Sequence, residues 1–237
     1  MYDPRQHLIV ALDVSSAAEA RKIVAAVGDS ALTYKVGMQL FTAEGPSVVR
    51  DLVASGRRVF LDLKYHDIPT TVAAAVREAA NMGVGMLTVH AGGGSKMLRA
   101  AAAAARSVNP SLMVLGVTVL TSIDEQDLDN VGVRGRVVDQ VLRLAALATA
   151  NGCQGVVASA LEASELRAKL GDHFLIVSPG VRPAGKDHGD QSRVVTPAEA
   201  IAAGVTYIVV GRPITAAPDP AAEARSILEQ MSLSVST

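Results

Sequence analysis

The sequence predicts an α/β chain folded as a single (β/α)8 TIM barrel over residues 1–237. Three observations carry that expectation. Short apolar runs alternate with Ala-rich stretches that also carry Arg and Glu, the pattern of βαβ units around a parallel sheet. Eight such units in 237 residues suit a barrel slightly shorter than usual. Residues are 49% hydrophobic but only 3% aromatic, with no Trp and three Phe, so Ala, Val, Leu and Ile must build the core. That chemistry suits parallel strands covered by helices rather than an aromatic-rich sandwich.

In chain order, the first strand is expected at Leu8–Asp13, followed by a helix over Ala17–Val27. A short second strand, Tyr34–Met38, leads into a helix at Thr42–Ala54. The third strand, Arg58–Lys64, precedes a helix at Thr71–Met82, with Pro69 suited to an early helical position. Met86–His90 and Lys96–Arg106 form the fourth unit, joined by Ala91-Gly-Gly-Gly-Ser95, which reads as a tight turn rather than a phosphate cradle. Leu112–Leu120 pairs with Arg136–Asn151, Gly155–Ser159 with Glu162–Leu170, Phe174–Ser178 with Pro197–Ala203, and Tyr207–Gly211 with Pro220–Met231. An open doubly wound sheet is the alternative. It would normally show a glycine-rich turn after the first strand, and that strand here runs into Asp13-Val-Ser-Ser16.

Charge and composition exclude several classes of function. A net charge of −1 and no run of like charges argue against a nucleic-acid surface. The single Cys153 rules out intrachain disulfides and cysteine-cluster metal sites, and reads as a small buried hydrophobe. His7, His173 and His188 lack metal-ligand spacing, and His90 reads as structural. The N-terminus lacks a signal-peptide pattern and no apolar run is long enough to span a bilayer, so a cytoplasmic protein is expected.

Barrel chemistry occurs at the C-terminal ends of strands, which singles out Asp13, Lys35, Asp62, Lys64, His90, Thr121, Arg182 and Arg212. The third strand is the most informative. Asp62 and Lys64 stand two apart and share a face, while Leu61 and Leu63 point the other way. Burying the leucines beneath the helices turns both charges toward the barrel mouth. Asp13 and Lys35 should point there too, and such charges are costly together unless alternately paired. Paired, they can hold a charged ammonium in place, as a proton-delivering general acid requires.

At these residues the chain resembles the orotidine 5′-phosphate decarboxylases. Asp62-Leu-Lys64-Tyr-His-Asp67-Ile-Pro-Thr-Thr71 is similar to that family's Asp-x-Lys-x-x-Asp followed by Ile-Pro-x-Thr. Ala-Leu-Asp13, Tyr-Lys35-Val-Gly, Val-Leu-Thr121-Ser, Pro179-Gly-Val-Arg182-Pro and Val-Gly211-Arg212-Pro-Ile follow the family order, with no departure at a motif position. The resemblance implies a cofactor-free and metal-free enzyme of pyrimidine biosynthesis that converts orotidine 5′-phosphate to uridine 5′-phosphate. It implies that Lys64 protonates C6 as carbon dioxide leaves, with Asp62 beside the substrate carboxylate and Lys35 and Asp67 completing a Lys-Asp-Lys-Asp array. It further implies a homodimer in which Asp67 and Thr71 serve the partner's site. Asp13 would contact ribose, Ile68 and Thr121 the substrate, and Ser122 lies nearby.

Phosphate is expected at Arg182 and the Gly211-Arg212 turn, after strands seven and eight, where many barrels bind it. The polar segment Ala184–Arg193 reads as a lid, and the resemblance implies that its Gln191 contacts phosphate. Three rivals stand beside this reading. Sugar-phosphate decarboxylases such as 3-keto-L-gulonate 6-phosphate decarboxylase share the barrel but hold magnesium with a strand-two carboxylate, where this chain has Lys35. A Schiff-base aldolase needs a neutral amine, whereas flanking carboxylates suit a charged one. A non-catalytic nucleotide-binding barrel would have no reason to keep every charged position.

Overall fold

The computed structural model describes residues 2–183 and 195–233. Eight parallel strands close into a barrel in sequence order: β1 Leu8–Ala11, β2 Thr33–Gly37, β3 Arg58–Tyr65, β4 Met86–His90, β5 Met113–Val117, β6 Gly155–Val157, β7 Leu175–Ser178 and β8 Tyr207–Val210. Closure comes from β1 pairing with β8, Leu8 opposite Ile208 and Val10 opposite Val210. The helices are α1 Ala17–Val27, α2 Met38–Glu44, α3 Pro46–Ala54, α4 Pro69–Asn81, α5 Gly94–Val108, α6 Glu125–Asn130, α7 Val137–Ala150, α8 Ala163–Leu170, α9 Pro197–Ala202, α10 Arg212–Thr215 and α11 Pro220–Leu233.

Strand periodicity divides the core in two. Leu8 and Val10 belong to the larger cluster shared with the helices, while Ile9 and Ala11 join Phe60, Met86, Leu115, Val177 and Val209 in a smaller inner cluster. On β3 the same parity puts Leu61 with the helices and Phe60 inside; Leu63 also packs against the outer cluster. The expected turning of Asp62 and Lys64 toward the barrel interior follows from that parity.

The boundaries show local chemistry overriding periodicity. The helix expected at Thr42–Ala54 is two helices, because Gly45 at φ +67 stops α2 and Pro46 restarts the chain as the first residue of α3. The fifth strand ends at Val117, short of Leu120, and α6 is an added element nucleated by an Asp124–Asp127 capping box. The glycine run after β4 is a 3-10 turn at Ala91–Gly93 that enters α5. A Cβ on Gly93 would overlap the buried Met97 side chain, so this glycine serves packing. Cys153 is buried, and burial pushes its thiol up to about 12. Among the described residues no helix is long and apolar enough to cross a membrane.

Candidate active site

A cavity of about 500 Å³ opens at the C-terminal ends of the strands. Asp13, Lys35, Asp62 and Lys64 line it, Asp13 just after β1, Lys35 on β2, and Asp62 and Lys64 near the end of β3. Their charges alternate. Lys35 Nζ donates to Asp13 Oδ1 at 2.8 Å and lies 3.8 Å from Asp62 Oδ2. Lys64 Nζ donates to Asp62 Oδ1 at 2.9 Å. Lys35 and Asp62 keep only 12% and 13% of their side-chain exposure, so each needs the other charge to offset lost hydration. Gly37 makes room for this contact: a Cβ there would stand 3.0 Å from Lys35 Nζ and 3.2 Å from Asp13 Oδ1.

Lys64 is held in an unusual backbone conformation. Its φ of 52° is the only positive value for a non-glycine among the described residues. A left-handed residue with a side chain costs about 1 to 2 kcal/mol, so its neighbours must impose it. They do so through a break in register. Leu61 pairs with Leu87 and Tyr65 with Val89, so Asp62, Leu63 and Lys64 all stand opposite Thr88. Bulges of this kind bend a strand and re-aim its side chains. Thr88 is fully buried, and its hydroxyl accepts from the Lys64 backbone N–H at 2.9 Å and donates to Asp62 Oδ1 at 3.0 Å.

Two arginines from the ends of β7 and β8 also line the cavity. Arg182 is 9% exposed, and its Nε is buried without a hydrogen-bond partner among the described residues. A buried, unpaired guanidinium N–H is costly in isolation and suits an anionic ligand. Gly211 precedes α10 and Arg212 is its exposed first residue, both in the cavity lining. Thr121 and Ser122 line the same cavity.

Eight of the expected residues thus meet in one cavity: Asp13, Lys35, Asp62, Lys64, Thr121, Arg182, Gly211 and Arg212. Asp67, Ile68 and Thr71 do not line it; all three are exposed, Ile68 at 65%. Asp67 instead accepts from its neighbour's backbone, Ile68 N–H, at 2.6 Å. Gln191 and the rest of the expected lid, residues 184–193, lie outside the described residues. Thr88 is the residue sequence reasoning passed over, although its parity with Met86 and His90 on β4 marked it as a polar side chain facing inward. His90 is not in the cavity wall. Its ring lies 5.3 Å from that of His66, and burial first, then the charges of His66 and Lys64, push its pKa below the ordinary histidine value.

With this geometry in place, the model of the orotidine 5′-phosphate decarboxylase / HUMPS family matches residues 6–227. The chain belongs to that family. Among its relatives, orotidine 5′-phosphate decarboxylase of Moorella thermoacetica is 50% identical over 235 residues, covering 97% of this chain and 93% of its own. The enzyme of the same name from Anaeromyxobacter dehalogenans strain 2CP-1 is 51% identical over 224 residues, covering 94% and 97%. The crystal structure of orotidine 5′-phosphate decarboxylase from Lactobacillus acidophilus superimposes with a TM-score of 0.86 at 40% identity, over 95% of this chain and 98% of that one. The family relatives so named are carboxy-lyases, and the (β/α)8 barrel is common ground between fold and family.

Proposed function

We propose that this chain decarboxylates orotidine 5′-phosphate to uridine 5′-phosphate and carbon dioxide in pyrimidine biosynthesis, without metal or cofactor. The observation that carries the proposal is the alternating Asp13–Lys35–Asp62–Lys64 array lining one cavity together with Arg182 and Arg212. In the reaction the bond from C6 to the carboxylate breaks and its electron pair stays on C6. Carbon dioxide leaves, and Lys64 Nζ delivers a proton to C6, later regaining one from solvent. An sp2 carbanion has no adjacent electron sink, so a preorganised ammonium beside C6 is the stabilising element. Asp62 stands next to Lys64, where the substrate carboxylate would meet a like charge in the ground state.

Asp13 takes the ribose and Thr121 the pyrimidine edge, while Arg182, Gly211, Arg212 and Gln191 take the phosphate. Asp67, Ile68 and Thr71 complete the site of a second copy in a homodimer, a role supported by their exposure outside their own chain's cavity. We read residues 1–237 as one catalytic domain, working in the cytoplasm.

The reading is tested by following loss of orotidine 5′-phosphate with the purified protein in excess EDTA. Lys35 Nζ sits between the carboxylates of Asp13 and Asp62, at 2.8 and 3.8 Å, where a divalent ion would meet a cation. Turnover should therefore be the same with and without the chelator. Activity lost to EDTA and restored by magnesium would move the chain to the sugar-phosphate branch. No turnover at all would end the assignment.

The phosphate wall has its own test. Arg212→Ala should weaken binding of the nucleotide far more than that of the phosphate-free nucleoside, because only the nucleotide loses a charge-assisted contact worth about 1.5 to 3 kcal/mol. It should also slow turnover, since remote binding energy organises the reacting end. Equal losses for the two ligands would remove Arg212 from the phosphate site.

A further inference from the structure

We propose that Thr88 is a positioning residue for the decarboxylation, its hydroxyl clamping the Asp62–Lys64 pair into reacting geometry from behind the cavity wall. The inference rests on the decarboxylase reading and adds a residue to it. Thr88 is fully buried and is not part of the cavity lining. Its single oxygen nevertheless touches both charged residues in different ways. It accepts from the backbone N–H of Lys64 and donates to the carboxylate of Asp62.

The need for such a clamp follows from the register. A regular parallel ladder would satisfy the backbone of β3 from the backbone of β4. Between the Leu61–Leu87 and Tyr65–Val89 pairs the ladder is interrupted, and Asp62, Leu63 and Lys64 share Thr88 as their only counterpart. The Lys64 N–H therefore finds its acceptor in a side chain, and that bond accompanies the left-handed φ of 52°. A buried N–H left without an acceptor is unfavourable, so the threonine oxygen favours the strained conformation over a relaxed one. That conformation sets where the Lys64 stem leaves the strand, and so where its ammonium stands.

The second bond acts on Asp62. Its Oδ1 receives the Lys64 ammonium at 2.9 Å and the Thr88 hydroxyl at 3.0 Å, while Oδ2 faces Lys35 at 3.8 Å. Among the described residues the Thr88 hydroxyl is the one neutral side-chain donor to the Asp62 carboxylate, whose other partners are the two lysines. A serine keeps the oxygen and both bonds. A valine keeps the shape and loses both. The role thus belongs to the oxygen and not to the packing of the side chain.

The test compares Thr88→Val and Thr88→Ser with wild type for kcat, KM and Tm. Thr88→Val is expected to lower kcat by about 10- to 100-fold, the scale of a roughly 1 Å misplacement of reacting groups, with KM changed by less than about threefold. Thr88→Ser is expected to stay within about threefold of the wild-type kcat, because the clamp survives. A Val variant that is folded at the assay temperature with wild-type kcat overturns the proposal, as does a loss confined to KM or an equal loss in the Ser variant. If the Val variant does not fold, Thr88→Ala replaces it with the same readings, and failure of both to fold shows a role in the fold alone. The wild-type rate separates the two claims. No wild-type turnover defeats the decarboxylase reading, whereas an active wild type with an unimpaired Val variant defeats only the clamp.

Discussion

Lys64→Ala should lower kcat for orotidine 5′-phosphate by at least about 10³-fold while leaving the barrel folded, since in the proposed mechanism it removes both the general acid and the cation facing the developing carbanion. The Lys64 side chain is 24% exposed and its ammonium is held by Asp62 at 2.9 Å, so its removal deletes a partly solvated pair at the mouth and no part of the core. Circular dichroism and Tm close to wild type, alongside the lost rate, would place the defect in the chemistry. A kcat within tenfold of wild type in a verified Lys64→Ala preparation would show that another group supplies the proton.

The second large effect is a recovery. Lys64→Ala and Asp67→Ala proteins should each be severely impaired alone, yet regain activity when mixed and allowed to exchange subunits. The basis is spatial. Lys64 lines its own chain's cavity, whereas Asp67, three residues further, is exposed outside that cavity and makes no ion pair among the described residues. In a twofold dimer each subunit lends the same patch to the other. A heterodimer then carries both defects in one site and neither in the other. With equal mixing about half the dimers are mixed, so recovery should approach about a quarter of wild-type sites. If Asp67 serves its own chain, every mixed site keeps one defect and no activity returns. Exchange must be confirmed independently, for example by mass-tagged subunits.

The two predictions draw on different kinds of legibility. That Asp62 and Lys64 point to the same cavity was readable from spacing, because residues two apart on a strand share a face. The proton-donor role proposed for Lys64 entered through the family resemblance. The shared site could not be read from spacing at all. It entered through the resemblance of Asp67-Ile-Pro-Thr-Thr71 to a family motif, and the geometry supports it only by placing these residues outside their own cavity.

Several features were determined by the sequence alone. Eight alternations of apolar run and helical stretch called for a closed parallel barrel, since each strand's aliphatic side chains need cover on both faces. α1 matches the expected Ala17–Val27, where Ser16 caps it by accepting from the Glu19 N–H. Asp13, Lys35, Asp62, Lys64, His90, Thr121, Arg182 and Arg212 stood out because they interrupt apolar runs at strand ends, and all of them except His90 meet in one cavity. These are local rules, carried by periodicity and strand parity. What only the tertiary structure decided depends on partners distant in the chain. The interrupted register between β3 and β4, the left-handed Lys64 and the two bonds of Thr88 arise where one strand's backbone must find acceptors on another. No window of sequence contains both sides of that contact. The residue that orients the reacting pair sits 24 positions from Lys64, and only packing of β4 against β3 brings it there.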